Sequence, residues 1–296
     1  MAEVRKPHLY ACTVFGGGKI TAHNAACMEG LRTACMREGV DLTVVRDGGT
    51  GTDRARNRQC ARFLESGADA MMQIDDDIQF DPMDVLRMLW TNLPVVGAAY
   101  PCKEIDWERV TAAVKSGVAP SELPLHASRP IFNTTLGGGR VYEEMGGFTV
   151  AEVGELPTGF LLIRREALIR FIQFHRDDIE YVADYPPQGA IHHMVFACQR
   201  DPRCGRETAK RHMLQAAKKG DTDALVRAAG EYRSTIGDPT SLGRYVTEDY
   251  ANTVMWRLMG EKAYLAIDVK LTHIGVHAFV GDVRTQLGIK VTDPTK

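Results

Sequence analysis

The sequence has no long apolar run, and stretches such as PVVGAAY (94–100) fall far short of the roughly 20 residues that a membrane-spanning helix needs. It also lacks an excess of charge of either sign, because its formal net charge is −2. A nucleic acid or an anionic membrane would therefore have to be held by a local patch. The opening residues, MAEVRKPHLY, lack the apolar core of an export signal. We expect no membrane span and a cytoplasmic location, which would be the host cytoplasm if the chain is viral.

The seven cysteines contain no CxxC pair, which argues against a disulfide framework or a typical zinc site and favours reduced thiols. Repeats and low-complexity tracts are also lacking. What is present is an ordinary globular composition, 44% hydrophobic and 25% charged. A length of 296 residues allows one large α/β domain or two smaller ones.

The first hundred residues alternate between strand-like and helix-like segments. The strand-like runs are LYACTVF (9–15), DLTVV (41–45), ADAMMQI (68–74) and PVVGAAY (94–100). Glycine-rich turns at 16–18 and 46–52 follow the first two runs, and Asp81 before Pro82 marks a helix start. This order predicts the α/β class, with an open, mostly parallel sheet flanked by helices. In such sheets ligands bind beyond the carboxyl ends of the strands.

The second part of the chain is less regular. Residues 102–148 predict loops with short hairpin pieces, and 175–245 are polar and helix-prone, which predicts a mainly helical insertion. The remaining segments are FTVAEV and TGFLLI as strands, RREALIRFIQF and TEDYANTVMWRLMG as helices, and YLAIDVKLTHIG as a strand.

Three consecutive aspartates, Asp75 to Asp77, follow the third strand-like run. Their mutual repulsion costs stability unless a cation or solvent offsets it. In an extended segment Asp75 and Asp77 face one side while Asp76 faces the other. Hard oxygen ligands in this spacing suit Mg²⁺ or Mn²⁺, especially when a phosphate completes the shell. A solvated acidic turn is the other interpretation of the same residues.

Arg54 and Arg56 lie near the predicted start of the second helix, where the helix dipole disfavours cations. These arginines either point to water, as part of a solvated stripe, or lie near an anionic diphosphate.

RARN (54–57), FLESGADAMMQIDDD, VVGAAYP, TGFLLIRREAL, TEDY and LTHIG occur in the order found in GT-A nucleotide-diphosphosugar glycosyltransferases. The chain most resembles the family-2-like enzymes of phages and bacteria. The resemblance covers most of the chain except about 175–245. It implies one GT-A (Rossmann-like) domain over 1–296, with a nucleotide-sugar-binding half at 1–105 and an acceptor half at 106–296 that contains the insertion. The QxxRW-type signature of processive synthases is lacking, so we expect a non-processive enzyme.

The resemblance also assigns roles to particular residues. Asp75 and Asp77 would be the outer positions of the DxD motif, with Asp75 near the ribose or donor sugar and Asp77 on a metal that bridges the phosphates. His273 would complete the metal shell, so the implied metal set is Asp75, Asp77 and His273, with Mn²⁺ or Mg²⁺. The donor would be a nucleoside diphosphate sugar, with a UDP-sugar favoured. The implied donor contacts are Arg54, Arg56, Asn57, Asp75, Gly159 and the loop at 46–52.

Glu248 and Asp249 open the TEDY helix, where acids are favoured by the dipole whatever their function. In inverting members of the resembling family, the aspartate of this pair is the general base, so Asp249 would take the proton of the acceptor hydroxyl. A histidine metal ligand is also common among retaining members, and the stereochemistry therefore stays open.

The insertion carries a basic cluster between 198 and 219. Such a cluster either grips nucleic acid or forms a solvated helical face. Phage relatives that glycosylate hydroxymethylated pyrimidines suggest viral DNA as the acceptor, and a saccharide or surface glycan is the alternative. The DNA interpretation places Arg200, Arg203, Arg206, Lys210 and Arg211 on the acceptor.

Two other classes of function remain. A nucleotidyltransferase or phosphohydrolase would use the same aspartates and release pyrophosphate or phosphate. A non-catalytic module would bind a sugar nucleotide or DNA without turnover. The sequence predicts no oligomeric state.

Overall fold

The structure is a computed structural model that describes residues 5–16, 19–48, 51–133, 147–185 and 187–288 and the backbone of 142–145. The predicted glycine turns at 16–18 and 46–52 therefore lie partly outside the described residues. Within the described ranges no helix combines the length and apolar character that crossing a membrane requires.

The strands of the described residues are short and mostly buried. In chain order they are β1 (His8–Phe15), β2 (Asp41–Gly48), β3 (Ala70–Asp75), β4 (Ile78–Gln79), β5 (Val95–Gly97), β6 (Tyr142–Met145), β7 (Phe148–Val153), β8 (Phe160–Arg164), β9 (Glu180–Val182), β10 (Ile191–His193), β11 (Gln199–Arg200), β12 (Tyr245–Val246), β13 (Ala263–Ala266), β14 (Thr272–Ile274) and β15 (Ala278–Val280).

Helices cover the faces of the sheet and form most of the insertion. They are α1 (Ala22–Glu38), α2 (Thr52–Ser66), α3 (Pro82–Trp90), α4 (Trp107–Lys115), α5 (Leu123–His126), α6 (Arg165–Ile179), α7 (Gly205–Lys219), α8 (Thr222–Ser234), α9 (Glu248–Leu258) and α10 (Val283–Gln286), with a 3₁₀ turn at Pro239–Ser241.

The central sheet has the order β2-β1-β3-β8-β5-β13-β7-β6. Only β8 and β7 oppose the other six strands, so the sheet is mostly parallel in direction. This confirms the predicted α/β class with an open sheet flanked by helices. The insertion at 175–245 is confirmed as mainly helical, because α7 and α8 are the longest elements that lie within it and its strands, β9 to β12, have only two or three residues each.

Alternating side chains place a core on each face of the sheet. Leu9 and Ala11 of β1 join one core with the inner faces of α1 and α3. Tyr10 and Cys12 join the other core, in which Phe63 of α2 also lies. The two cores hold the strand ends in fixed positions, and the candidate site lies at those ends.

Some local predictions are wrong. The segment 102–148 contains two helices, α4 and α5, which the sequence analysis assigned to loops. Asp106 begins α4 because its carboxylate accepts a hydrogen bond from the backbone N–H of Arg109. The predicted final strand is also divided into β13 and β14, which belong to different sheets.

Candidate active site

The three aspartates lie at a tight turn between β3 and β4. Asp75 is the last residue of β3, and the chain turns at Asp76 and Asp77. The buried amide of Asn24 on α1 donates to the backbone carbonyls of Asp75, at 2.9 Å, and Ile78, at 3.2 Å. These bonds fix both sides of the turn, so the three carboxylates project from a constrained backbone.

Arg56 is the buried cation of the site. Its side chain is 1% exposed, and Nη2 lies 2.8 Å from Oδ1 of Asp75. Nη1 lies 3.4 Å from the carbonyl oxygen of Thr158. Burial lowers the pKa of Arg56, but attraction to Asp75 and Asp249 outweighs burial and raises it. A guanidinium thus lies between two carboxylates at the edge of the sheet.

Gly159 allows the chain before β8 to approach Asp75 closely. Its carbonyl accepts from the backbone N–H of Asp75 at 2.9 Å. A Cβ atom at this position would lie 2.5 Å from Oδ2 of Asp75 and 2.6 Å from the hydroxyl of Tyr100. Packing within the protein therefore requires glycine here, a different reason from the donor approach that the resemblance implies. Burial raises the pKa of Tyr100.

Asp77 and His273 meet because β4 pairs with β14, which carries the histidine. Nε2 of His273 lies 3.3 Å from Oδ1 of Asp77, and Nδ1 lies 2.9 Å from the carbonyl oxygen of Pro101. The other carboxylate oxygen of Asp77 forms an ion pair with Lys103. Burial alone would raise the pKa of Asp77, but interactions with His273 and Lys103 outweigh burial and lower it.

The geometry at His273 suits a metal ligand. A carbonyl oxygen can only accept, so Nδ1 donates to Pro101, and in the neutral ring Nε2 presents its lone pair to Asp77. Two acceptors that face each other are favourable only when a proton or a cation lies between them. A backbone carbonyl on the second nitrogen also fixes the tautomer of metal-binding histidines. Asp77 and His273 would therefore fit a divalent cation, which would need further oxygen ligands from outside this pair.

Asp75 does not join this pair. Among the residues that the structure describes, no group of three histidine, cysteine or acidic side chains lies close enough to hold a metal ion. The predicted set of Asp75, Asp77 and His273 is thus brought together only in part. Arg56 binds the Asp75 carboxylate, which leaves two protein ligands for the cation.

Asp249 lies in the first turn of α9. Its Oδ1 accepts a hydrogen bond from the hydroxyl of Thr158 at 3.1 Å. Burial raises the pKa of Asp249, and Glu248 adds to the shift, while Arg56 opposes it. A raised pKa suits a carboxylate that takes a proton near neutral pH. Glu248 is more peripheral, with its carboxylate 3.6 Å from the Cys198 thiol.

The other donor residues implied by the resemblance differ in position. Arg54 lies at the surface, where it pairs with Asp184 and stacks over the ring of Tyr185, 5.1 Å from its centroid. Asn57 is buried, and its amide makes two hydrogen bonds to the backbone of Phe196, at 2.7 and 2.8 Å. The N–H and the carbonyl oxygen of the Asn57 side chain both bond to this backbone. Asn57 therefore contacts the chain before β11.

The five cations assigned to DNA are engaged within the chain. Arg200 and Lys210 share Glu207, and Arg206 donates to the carbonyl of Thr235. Arg203 binds the carboxylates of Asp201 and Glu155, and Arg211 donates to the carbonyl of Pro202 and to the hydroxyl of Thr208. These contacts favour a structural role for the cluster over a phosphate grip.

A polar cleft of about 760 Å³ opens beside this network. Arg203 and Arg244 line it together with the buried carboxylates of Glu155 and Asp201. Asn133 and Thr240 add neutral polar groups. The cleft therefore combines hydrogen-bond donors and acceptors of several kinds.

The sequence analysis missed three residues of the site, Thr158, Tyr100 and Lys103. Tyr100 and Lys103 follow β5, whose end lies at the same edge of the sheet as the end of β3. The rule that ligands bind beyond strand ends would have pointed to them. Thr158 has no such signal, because its role depends on α9 meeting the turn before β8.

Comparison with known proteins gives only matches of low sequence identity and low TM-score. No protein-family model and no curated protein matches this chain. Among solved structures it is similar to A197 from STIV, with 14% identity over 56% of this chain and 67% of that one and a TM-score of 0.32. It is also similar to a glycosyltransferase involved in the glycosylation of the major capsid of PBCV-1, with 10% identity over 58% and 68% of the two chains and a TM-score of 0.30. Sequence identities and TM-scores this low do not assign a function, which therefore has to be inferred from the side chains of the site.

Gly159→Ala should destabilise the protein, because the new methyl group would overlap Asp75 and Tyr100. We expect a loss of about 1–3 kcal/mol in the free energy of unfolding, measured by urea denaturation. Gly230→Ala is the matched control, because Gly230 lies in α8 with open space around it and alanine favours a helix. Equal stability of Gly159→Ala and wild type would contradict the packing described above.

Asp249→Asn should stabilise the protein at neutral pH. A pKa raised by folding means that the folded state favours the protonated acid. The stability that the protonated Asp249 side chain contributes is fully present below the pKa of an aspartate in the unfolded chain, about 3.9. It is lost as the pH rises through the pKa of Asp249 in the folded protein. Asparagine removes that loss, so the Tm of the variant should exceed that of wild type at pH 7, and the difference should shrink toward pH 4. A lower Tm for the variant at pH 7 would show that Asp249 stabilises the fold as an anion.

Proposed function

We propose that this chain is a metal-dependent glycosyltransferase that moves a sugar from a nucleoside diphosphate sugar to an acceptor hydroxyl. The observation that carries the proposal is the arrangement of charge around the turn between β3 and β4, where Arg56 binds Asp75 and interacts with Asp249. On one side, Asp77 and His273 form a ligand pair for a hard cation. On the other, Asp249 is a half-buried carboxylate with a raised pKa that interacts with Arg56. A transfer that inverts the sugar and releases a metal-bound diphosphate uses both functions at one site.

The proposed chemistry separates charge along the reacting bonds. Asp249 accepts the proton of the acceptor hydroxyl while the hydroxyl oxygen attacks the anomeric carbon. The bond between that carbon and the diphosphate oxygen breaks, and the nucleoside diphosphate leaves with the bonding electrons. A divalent cation bound by Asp77 and His273 would offset the negative charge of this leaving group.

Arg56 and Asp75 support the reaction from within the protein. The Arg56 guanidinium keeps its positive charge beside Asp249 and stabilises the ionised carboxylate. Arg56 binds Oδ1 of Asp75, and to the other carboxylate oxygen we assign a hydrogen bond to ribose or donor sugar. Thr158 holds Asp249 through its hydroxyl, so the base is positioned before substrate binds.

For the donor we propose a UDP-sugar, and for the acceptor a molecule with several hydroxyl groups. The cleft lined by Glu155, Asp201 and Arg244 is large enough for a saccharide and has polar walls, and these three side chains also pair with one another. A hydroxymethylated pyrimidine in DNA stays a prediction, and the engaged cations of the insertion give it no support.

The direct test is turnover with Mn²⁺ and a panel of UDP- and GDP-sugars, followed by mass analysis of the products. The panel is run with water alone, with oligosaccharides and with hydroxymethylated DNA. We expect release of a nucleoside diphosphate, and a loss of about 10²–10⁴-fold in turnover for Asp249→Asn with donor binding retained. Release of a sugar 1-phosphate, with the nucleoside monophosphate passing to the acceptor or to water, would favour a nucleotidyltransferase or a phosphohydrolase. Binding without turnover in wild type would favour a module.

Asp77→Asn should weaken the binding of Mn²⁺ and of UDP together. The substitution removes an anionic ligand of the cation, and without the bound cation the diphosphate of UDP loses its proposed bridge to the protein. Calorimetric titration of UDP with and without Mn²⁺ measures both effects. Asp41→Asn, at the exposed start of β2, is the matched control and should behave as wild type. If the Asp77→Asn variant retains Mn²⁺-dependent binding of UDP, Asp77 is not a ligand of the metal.

A further inference from the structure

Lys103 lies where the divalent cation would act. Its ammonium group forms an ion pair with Oδ2 of Asp77, while Oδ1 of the same carboxylate faces His273. The side chain is 38% exposed, and its stem passes along Gly275, where a Cβ would lie 3.3 Å from the lysine Cδ. The same carboxylate thus faces an imidazole nitrogen with one oxygen and an ammonium group with the other.

A divalent cation and this ammonium group cannot both stay on Asp77 without strong repulsion. The cation would lie on the side of His273 and the ammonium on the other oxygen, a few ångströms apart. The lysine stem is flexible and its head is strongly hydrated, so the side chain is the part that moves. Because it is partly exposed, it has space in which to move away from the carboxylate.

A diphosphate bound to the cation would give the displaced ammonium a new partner. The phosphate oxygens must lie next to the cation, and therefore within reach of a side chain that starts beside Asp77. Lysine is a common ligand for phosphate as a point charge. The exchange of one anionic partner for another keeps the charge of Lys103 paired in both states.

We propose that Lys103 occupies Asp77 in the free protein and transfers to the diphosphate when metal and donor bind together. The proposal rests on the function proposed above and adds a residue that couples the two ligands. Metal alone must displace the lysine without compensation, whereas metal with diphosphate provides that compensation. Metal affinity should therefore rise when the nucleotide is present, and nucleotide affinity should rise by the same factor when the metal is present.

The test is the binding of Mn²⁺, followed by electron paramagnetic resonance, with and without UDP. In wild type we expect weak binding of Mn²⁺ alone and tighter binding with UDP. Lys103→Met removes the competing charge, so Mn²⁺ alone should bind about two- to fivefold more tightly, the range for a partly exposed ion pair. UDP should bind less tightly to the Mn²⁺-loaded variant, and the coupling factor should fall.

Two variants control the experiment. Lys115→Met makes the same substitution on an exposed lysine at the end of α4 and should match wild type. Lys103→Arg keeps the charge and should retain the coupling. Comparable thermal unfolding of the variants shows that each is folded.

The outcomes separate the two proposals. Coupling in wild type that persists unchanged in Lys103→Met would overturn the role of Lys103 and leave the proposed function in place. Unchanged affinity of Lys103→Met for Mn²⁺ alone would overturn it equally. Absence of any effect of UDP on Mn²⁺ binding in wild type would contradict the metal-bridged donor site itself, and with it both proposals.

Discussion

The buried guanidinium of Arg56 is the interaction on which the rest of the site depends. A charge removed from water must be paired and hydrogen-bonded, and Arg56 meets this requirement with Asp75 and the Thr158 carbonyl. The pair joins α2, the end of β3 and the chain before β8. This pair also explains why a cation lies near the start of a helix, where the dipole disfavours it. The attraction between the buried guanidinium and the half-buried Asp75 carboxylate outweighs an effect of that size.

The three adjacent aspartates coexist because the fold gives each a different environment. Asp75 binds Arg56, and Asp77 binds Lys103 and faces His273. Burial and the two neighbouring carboxylates raise the pKa of Asp76 to about 6, although the Gly16 backbone N–H opposes the shift. Repulsion within the triplet is therefore offset by cations on its two outer members. The proposed roles of the two outer aspartates, with Asp75 near the sugar and Asp77 near the phosphates, depend on this difference in environment.

Much of the frame was predictable from local patterns, and much of the site was not. Apolar runs and the Asp81–Pro82 cap located β1, β3 and α3, and the strand-end rule located the aspartates. The antiparallel entry of β8 beside β3 depends on pairing between segments some 90 residues apart in sequence, which no local pattern records. Neutralisation of the basic cluster depends likewise on Glu155, which lies far from Arg203 in sequence and binds it in space.

The central claim is that Asp77 and His273 hold a divalent cation against a diphosphate while Arg56 keeps Asp75 apart. The most direct measurement is a crystal structure with Mn²⁺ and UDP, in which anomalous scattering locates the metal. We predict one manganese peak within bonding distance of Asp77, His273 and the UDP phosphates, with the Arg56–Asp75 ion pair unchanged. A manganese ion bound elsewhere, with Lys103 still on Asp77 and the UDP phosphates remote from His273, would contradict it.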